Sequence, residues 1–269
     1  GWTRYLAPAG FEADLRAELG DVALEHGRLM FAPGPSRELA WAQNVWLDPV
    51  RIEISSIGDA TKALRAIQRN WTLYPATHFR RAHLIEEQLP PIKARRLVYP
   101  AATPQALGSW TLLDRSTLIA SPRCSSPFPN GAVEFVENKT FPPNRAYLKL
   151  WELFTRMGTC PGPGEVCVDL GASPGGWSWV LHETGARVIA VDKAPLEDRI
   201  ARLPRVEFRS GSAFALDPAA MGPVDWLFCD VVCYPSRLLA LVERWLATGT
   251  ARRLVCTVKF QGPTDPVIA

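Results

Sequence analysis

The stretch "EVCVDLGASPGGWSW", residues 165–179, decides the fold of this chain. It begins with an apolar run of strand type, residues 165–171, and passes through a glycine-rich turn into a helical pattern over residues 175–185. A second apolar strand, "ARVIAVD" at residues 186–192, follows immediately. Apolar strands that alternate with helices are typical of a parallel, doubly wound sheet with helices on both faces.

The same rhythm extends through the C-terminal half of the chain. The sequence predicts a helix over residues 144–158, with Asn144 as its N-cap, and an amphipathic helix over residues 235–249. Further apolar strands are predicted at residues 206–212, 224–230 and 252–259. Residues 144–269 are therefore predicted to form a Rossmann-like α/β domain.

The first part of the chain has a different pattern. Residues 1–125 mix short strands with helices and predict an α+β region whose sheets are covered by helices on one side. The predicted strands are at residues 2–8, 29–33, 50–57 and 95–100, with a hairpin over 109–121. The predicted helices are at residues 10–20, at 36–46 with Ser36 as N-cap, and at 59–71 with Asp59 as N-cap. Residues 126–143, which are rich in proline, predict a connector.

Composition and charge narrow the classes of function. The chain has 47% apolar residues and no apolar run of about 18, so we expect neither a membrane span nor a signal peptide. The six cysteines have no CxxC spacing, which argues against zinc and favours a reducing cytoplasm. Residues 61–149 contain 13 Lys and Arg against five Asp and Glu, a net charge of +8. This asymmetry indicates an anionic partner such as nucleic acid, although scattered arginines on a solvated surface would give the same count.

The glycine-rich turn and Asp192 together predict a ligand site. Ligands of a doubly wound sheet bind beyond the carboxyl ends of its strands, where Gly171, Gly175 and Gly176 permit tight turning and close approach. Asp192 ends the second strand, 21 positions after Gly171, where a carboxylate can accept hydrogen bonds from both hydroxyls of a ribose. The alternatives are a purely structural turn, and Asp192 as the N-cap of the next helix.

The residues of the turn also favour one class of ligand. "GASPGG" is not G-x-G-x-x-G, and Pro174 has no N–H to donate to a dinucleotide pyrophosphate. A nucleoside with a small zwitterionic tail, such as S-adenosylmethionine, fits better, and Asp169 can then hold its ammonium group. Trp177 or Trp179 can stack on a base, although a tryptophan beside a sheet is more often part of the core.

Five motifs in order give the chain a family resemblance. With "NRAYLKL", "VDLGASPGGWSW", "VIAVDKAPL", "LFCDVV" and "TVKFQG", which span about 120 residues, it resembles the FtsJ-like 2′-O-ribose RNA methyltransferases. The N-terminal "APAGFEADLRAEL" and the connector "SPFPNG" are similar to the RlmM-type subgroup, which methylates a cytidine ribose of large-subunit ribosomal RNA. The resemblance implies a Rossmann-like catalytic domain preceded by an α+β RNA-binding region with a ferredoxin-like, THUMP-like unit.

The Lys–Asp–Lys–Glu tetrad of that family maps onto this chain in part. By motif, the lysines fall on Lys149 and Lys259 and the aspartate on Asp230, while no glutamate follows Glu243. Either the tetrad is incomplete, or a C-terminal segment with the last strands of the fold is missing. The resemblance implies S-adenosylmethionine as cofactor, and the residues expected to contact it are Asp169, Gly171, Ala172, Ser173, Pro174, Gly175, Gly176, Trp177, Asp192, Ser212 and Asp230.

The three tetrad residues suit the chemistry of a ribose hydroxyl. The hydroxyl is a poor nucleophile at neutral pH, and a lysine that has lost its own proton can accept the proton of the hydroxyl. Lys259, at the end of an apolar strand, is the candidate base, while Asp230 orients it and Lys149 holds the ribose or phosphate. Transfer from a sulfonium needs positioning and no metal. The alternatives are a snorkelling Lys149 and a Lys259 that merely ends a strand at the surface.

We therefore expect a methyl transfer from S-adenosylmethionine to a ribose 2′-hydroxyl of RNA, with ribosomal RNA as the partner and with neither DNA nor a membrane. Basic side chains around the connector and in the N-terminal half are candidate phosphate contacts: Arg80, Arg81, Lys93, Arg95, Arg96, Arg123, Lys139 and Arg145. One alternative is a cofactor-binding RNA chaperone or ribosome-assembly factor without turnover. Another is a methyltransferase that acts on a small molecule or a protein.

Overall fold

A computed structural model describes residues 1–92, 96–104 and 106–260. The chain divides into two compact units, Gly1–Val136 and Glu137–Ala269. The division falls within the connector predicted at residues 126–143. Each unit has a hydrophobic core of its own.

The first unit contains two four-stranded sheets and is a mixed α+β structure. Its elements are β1 (Trp2–Leu6), α1 (Glu12–Leu19), β2 (Leu24–His26), β3 (Leu29–Pro33), β4 (Asn44–Trp46), β5 (Val50–Glu53), α2 (Ile57–Ile67), β6 (Trp71–Leu73), α3 (Phe79–Gln88), β7 (Gly108–Leu112) and β8 (Thr117–Ser121). The first sheet has the order β2-β3-β1-β4 and is antiparallel throughout. The second has the order β5-β8-β7-β6, in which β6 runs parallel to β7.

The helix predicted over residues 36–46 is wrong. The indole of Trp41 stacks on Phe11 with ring centroids 4.9 Å apart. The carboxylate of Glu18 accepts hydrogen bonds from the main-chain N–H of Trp41 and of the residue before it. These N–H groups therefore bond to α1 instead of along a helix of their own. The end of the segment, residues 44–46, forms β4 and pairs with β1.

The cap predicted for α2 is also wrong. The helix begins at Ile57 and its N-cap is Ser56, whose hydroxyl accepts the N–H of Asp59 at 3.1 Å. The predicted cap, Asp59, lies in the first turn, where its carboxylate accepts the N–H of Ser55 at 2.9 Å. The two side chains thus bond in opposite directions across the helix start, as in a capping box.

Other elements of the first unit were not predicted. Strand β6 is only three residues long. Helix α3 is rich in charged residues, so its apolar positions are difficult to recognise in the sequence. In the segment predicted as a strand at residues 95–100, the described part forms one isolated bridge, between Leu97 and Phe135. Elements this short depend on their neighbours more than on their own periodicity.

The second unit is the predicted α/β domain. Its elements are α4 (Tyr147–Met157), β9 (Val166–Leu170), α5 (Gly176–Glu183), β10 (Arg187–Asp192), α6 (Asp198–Ala201), β11 (Val206–Ser210), α7 (Pro218–Met221), β12 (Val224–Cys229), α8 (Pro235–Thr248) and β13 (Ala251–Cys256). The strand order is β11-β10-β9-β12-β13, and every pairing is parallel. The parallel sheet is thereby confirmed.

Helices cover both faces of this sheet. Leu227 and Cys229 of β12 lie in a core cluster with Trp245 of α8. Between them, Phe228 faces the other way and makes edge contacts with Phe154 of α4, at 6.2 Å, and with Trp177 of α5, at 6.1 Å. The alternation follows from the period of two in a strand, and it makes the sheet doubly wound.

The strand order reverses between β9 and β12, which places a crevice at their carboxyl ends. Asp169 pairs with Phe228, and Leu170 pairs with Cys229, so the turn after β9 and the loop after β12 start at the same level. Among the described helices, none is long and apolar enough to span a bilayer.

Candidate active site

Lys149, Asp230 and Lys259 meet at this crevice. The ammonium nitrogen of Lys149 donates to both carboxylate oxygens of Asp230, at 2.8 and 2.9 Å. The ammonium nitrogen of Lys259 lies 3.1 Å from one of those oxygens and donates to the main-chain carbonyl of Asp230 at 2.6 Å. Two amines thus share one carboxylate, although the three residues are far apart in the sequence.

Three elements hold these side chains in place. Asp230 follows the last residue of β12, and Lys259 lies three positions beyond the end of β13, the neighbouring parallel strand. Lys149 projects from the first turn of α4. That helix begins at Tyr147, not at the predicted Asn144, whose side-chain oxygen instead accepts the N–H of the residue before the helix. The site therefore depends on the packing of α4 against the sheet.

The environment of Asp230 keeps its carboxyl ionised. Partial burial opposes the charge, but hydrogen bonds from Lys149, Lys259 and the Thr257 hydroxyl outweigh it, so the pKa of Asp230 lies below its ordinary value. Its side chain is 15% exposed, whereas that of Lys149 is 47% exposed and that of Lys259 is 23% exposed. The carboxylate forms the enclosed centre of the group, and Lys259 is the more enclosed of the two amines.

A pocket of about 410 Å³ opens beside this carboxylate. It lies between the turn after β9, the ends of β10 and β11, and the loop after β12. Its lining includes five of the residues predicted to contact a cofactor, Gly171, Ser173, Asp192, Ser212 and Asp230. Its volume falls within the range usual for small-molecule sites.

Asp192 has the geometry of a ribose acceptor. Its two carboxylate oxygens accept the N–H groups of Ser173 and Ala194, both at 3.0 Å, which fixes the carboxylate at the pocket edge. A carboxylate offers about four lone-pair positions, so each oxygen can still accept a hydroxyl. The alternative role as a helix N-cap is wrong, because α6 begins at Asp198 and the preceding residue is Glu197.

Asp169 lies beneath the pocket instead of lining it. Its side chain is 1% exposed, and one carboxyl oxygen accepts the Ser178 hydroxyl at 2.7 Å. The other oxygen has no hydrogen-bond partner among the described residues. Burial raises the pKa of Asp169 to about 7, and the charges of Asp230 and Asp192 act in the same direction. The predicted contact of Asp169 with the ammonium group of a cofactor would require its carboxyl group to be exposed to the pocket, and in this structure it is buried.

The glycines of the turn are required mainly by the protein's own packing. Gly171 has φ +78°, and a Cβ there would lie 2.7 Å from a methyl of Val231. Gly175 has φ +116°, and a Cβ there would lie 2.7 Å from a methyl of Ile200. A Cβ at Gly176 would collide with the side-chain oxygen of Asn144. Of the three, only Gly171 also lines the pocket, and contact of Gly175 and Gly176 with a ligand stays a prediction.

We predict that Gly175→Ala destabilises the protein by about 2–3 kcal/mol, because it combines a left-handed backbone with a clash against Ile200. The matched control is Gly164→Ala, since Gly164 has φ +88° with nothing near its Cβ position, and its expected cost is about 1 kcal/mol. Urea unfolding measures both. Equal losses in the two variants would contradict the packing explanation.

The remaining predicted cofactor contacts do not line the pocket. Trp177 is 4% exposed, and its indole N–H donates to the carbonyl of Ala146 at 2.9 Å, so it packs under α4. Trp179 is 6% exposed and packs against Tyr147 and Trp151. Both belong to the core, as the structural alternative proposed. Two further predicted contacts, Ala172 and Pro174, are not part of the pocket lining either.

Several basic residues predicted to contact phosphate already have acidic partners. Arg123 pairs with Asp48, Arg145 with Glu137 and Arg96 with Glu134. These exposed ion pairs are weak and leave the arginines able to exchange partners. Two other candidates, Lys93 and Arg95, lie outside the described residues.

Sequence reasoning missed Thr257, Ser178 and the pair formed by Phe214 and Arg237. Thr257 lies two positions before Lys259, so a period of two would have placed both on the side of Asp230. The guanidinium of Arg237 lies 3.8 Å from the ring centroid of Phe214, and both line the pocket. Ser178 gives no signal in the sequence, because its role depends on the burial of Asp169.

The sequence of this chain is similar to a known family of methyltransferases. The model of the FtsJ-like methyltransferase family matches residues 142–246. The ribosomal RNA large subunit methyltransferase M of Laribacter hongkongensis is 30% identical over 93% of this chain and 81% of its own length. The protein of the same name from Halorhodospira halophila is 42% identical over 44% of this chain, which spans about a third of that relative (35%).

Among solved structures, a ribosomal RNA methyltransferase from Plasmodium falciparum superposes with a TM-score of 0.36 and 16% identity. The match covers 46% of this chain and 82% of that one. A likeness at this level supports no argument about function.

Proposed function

The chain belongs to the family of ribosomal RNA large subunit methyltransferase M, and from this premise we propose that it transfers a methyl group from S-adenosylmethionine to a ribose 2′-hydroxyl of large-subunit ribosomal RNA. The observation that carries the proposal is the convergence of Lys149, Lys259 and Asp230 beside the pocket. A metal-free group of two amines and a carboxylate suits proton removal from a hydroxyl.

The pocket fits the cofactor by its donor set. Asp192 offers carboxylate oxygens at one side, while the main chain of Gly171 and the side chain of Ser212 lie along the walls. These residues would hold S-adenosylmethionine, which supplies an electrophilic methyl on a sulfonium when bound. No carboxylate other than Asp192 and Asp230 lines the described pocket, so the adenine would be read by main-chain groups and by the Phe214–Arg237 pair.

The three tetrad residues would then act on the RNA. Lys259 is the proposed base, because it is the more enclosed amine. Its ammonium group would first release a proton to solvent, and the neutral amine would then take the proton of the 2′-hydroxyl. Asp230, which lines the pocket, holds the Lys259 nitrogen at 3.1 Å and would thereby position it for the reaction. Lys149, which is half exposed, is suited to contact a phosphate or the ribose while it keeps Asp230 fixed.

For the first unit we propose RNA binding with a THUMP-like, ferredoxin-like subdomain. The support is its α+β architecture, together with ten Lys and Arg against four Asp and Glu over residues 61–136, a net charge of +6. Basic side chains attract the phosphate backbone, and this attraction weakens as salt increases. We further propose that the protein acts in the cytoplasm, without DNA or a membrane as partner.

The test is transfer of a labelled methyl group to large-subunit ribosomal RNA from cells that lack the protein. We expect incorporation at a position that resists alkaline cleavage, because a methylated 2′-oxygen cannot attack the adjacent phosphate. RNA from cells that contain the protein is the control and should accept no label. A chain that binds S-adenosylhomocysteine but transfers nothing to RNA or to ribosomal particles would support the alternative of an assembly factor.

A further inference from the structure

Two cysteines lie side by side directly below the tetrad. Cys229 is the last residue of β12, Cys256 is the last residue of β13, and the two are register partners in the parallel pairing. Neighbouring strands are about 4.8 Å apart, which falls within the range of Cα separations that a disulfide can join. Side chains at paired positions point to the same face, so the two thiols face each other across the strands.

The two thiols are hydrogen-bonded and differ in character. The bond to Cys256, together with burial, raises the pKa of Cys229, and the same bond lowers the pKa of Cys256. Cys229 is fully buried, whereas Cys256 is partly exposed. Cys256 is therefore the thiol that an oxidant reaches, and Cys229 is the neighbour positioned to resolve the product.

Cys229 directly precedes a tetrad residue, and Cys256 directly precedes a residue that contacts the tetrad. Cys229 precedes Asp230, and Cys256 precedes Thr257, whose hydroxyl bonds to the Asp230 carboxylate. The N–H of Thr257 also donates to the carbonyl of Cys229 at 2.9 Å. Any movement of one cysteine toward the other is therefore passed to Asp230, Thr257 and Lys259.

We propose that Cys256 and Cys229 form a thiol modification site, at which a peroxide converts the pair into a disulfide and switches off the adjacent tetrad. The Cys256 thiolate attacks one peroxide oxygen, the O–O bond breaks, and a sulfenic acid forms as hydroxide leaves and takes up a proton. The Cys229 thiol then attacks that sulfur, the S–S bond forms, and water leaves. Two thiols lose two electrons and two protons, and one hydrogen peroxide is reduced to two waters.

The size of the effect follows from geometry. A disulfide holds its Cβ atoms about 3.8 Å apart, whereas side chains at paired positions leave the sheet about 4.8 Å apart. The Cα separation already suits the bond, so the shift of roughly 1 Å falls on the Cβ atoms and twists the backbone at the residues that precede Asp230 and Thr257. Since a misplacement of about 1 Å in a catalytic group can cost about 10²-fold in rate, we expect a fall of that order.

The experiment treats the full chain with a small molar excess of hydrogen peroxide and follows two readouts. Peptide mass spectrometry should show Cys229 linked to Cys256, and methyl transfer should fall about 10²-fold and return with dithiothreitol. Cys256→Ser should abolish both changes, while Cys229→Ala should leave a sulfenic acid at Cys256 that dimedone traps. Cys160→Ser is the matched control, because Cys160 is exposed and remote from the pair in the sheet, and it should respond like the wild type.

The peptide readout does not depend on the proposed activity, so the two proposals fail separately. The thiol proposal is overturned if peroxide links Cys256 to Cys233, if it modifies Cys160 without forming the pair, or if Cys256→Ser loses activity as the wild type does. A linked pair in a chain without methyl transfer would support the modification site and contradict the proposed function.

Discussion

Replacement of Asp230 by asparagine is expected to reduce the rate of methyl transfer by about 10³-fold. The amide keeps the shape of the side chain but loses the charge that both Lys149 and Lys259 contact. One of its two terminal atoms becomes a donor and faces an ammonium group, so at least one amine must turn away. The proposed base is then misplaced, and the fall in rate follows from lost positioning as well as lost charge.

Single-turnover transfer to ribosomal RNA at saturating cofactor measures this loss. Asp198→Asn is the control, because Asp198 is 89% exposed in the same unit and its substitution should change the rate less than two-fold. Binding of S-adenosylhomocysteine is measured in parallel, since Asp230 also lines the pocket. A rate within about three-fold of the wild type would show that the carboxylate does not organise the two lysines.

The second large effect concerns Asp169 and pH. Its pKa is raised by burial from 3.8 to about 7, so the folded state holds a proton that the unfolded state releases above pH 4. The resulting stability is fully present below about pH 4 and is lost as pH rises to about 7. Integrated over that interval, the loss is on the order of 4 kcal/mol. Asp169→Asn, which remains neutral, should remove most of this slope between pH 4 and 7.

Urea unfolding at several pH values, with amide exchange in β9 to identify the second unit, provides the measurement. Asp225→Asn is the control, because a hydrogen bond from the Val166 N–H keeps the pKa of Asp225 below its ordinary value and leaves it ionised across this range. Parallel slopes for the wild type and Asp169→Asn would contradict the burial argument. Affinity for S-adenosylhomocysteine in the same variant tests the predicted ammonium contact.

The sheet of the second unit was predictable because its strands are buried on both faces. Such strands are continuous apolar runs, and β9, β10 and β12 stand out in the sequence without reference to their neighbours. The tetrad was equally accessible, since each of its three residues lies in a motif at a strand end or helix start. The order of the strands then places the residues of these separate motifs at one edge of the sheet.

Features that depend on packing between distant segments could not be predicted from the sequence. The sequence shows an aspartate before a glycine turn, but not that a helix closes over Asp169 and leaves it 1% exposed. Similarly, the segment with Trp41 has a helical apolar pattern, and only the position of Glu18 on α1 explains why it is not a helix. Trp177 is a further example. A tryptophan is common both in a hydrophobic core and in a ligand pocket, and only its neighbours in the structure distinguish the two.

Lys149 and Asp230 are separated by 81 positions, and Lys259 and Asp230 by 29. Contacts between such distant segments carry a large loop-closure cost, which favours their formation after the intervening strands have docked. A partly folded chain therefore has strands and a glycine turn but lacks the group of two lysines and a carboxylate. The proposed methyl transfer would then report complete folding, because an incompletely folded copy lacks the residues that the proposed reaction requires.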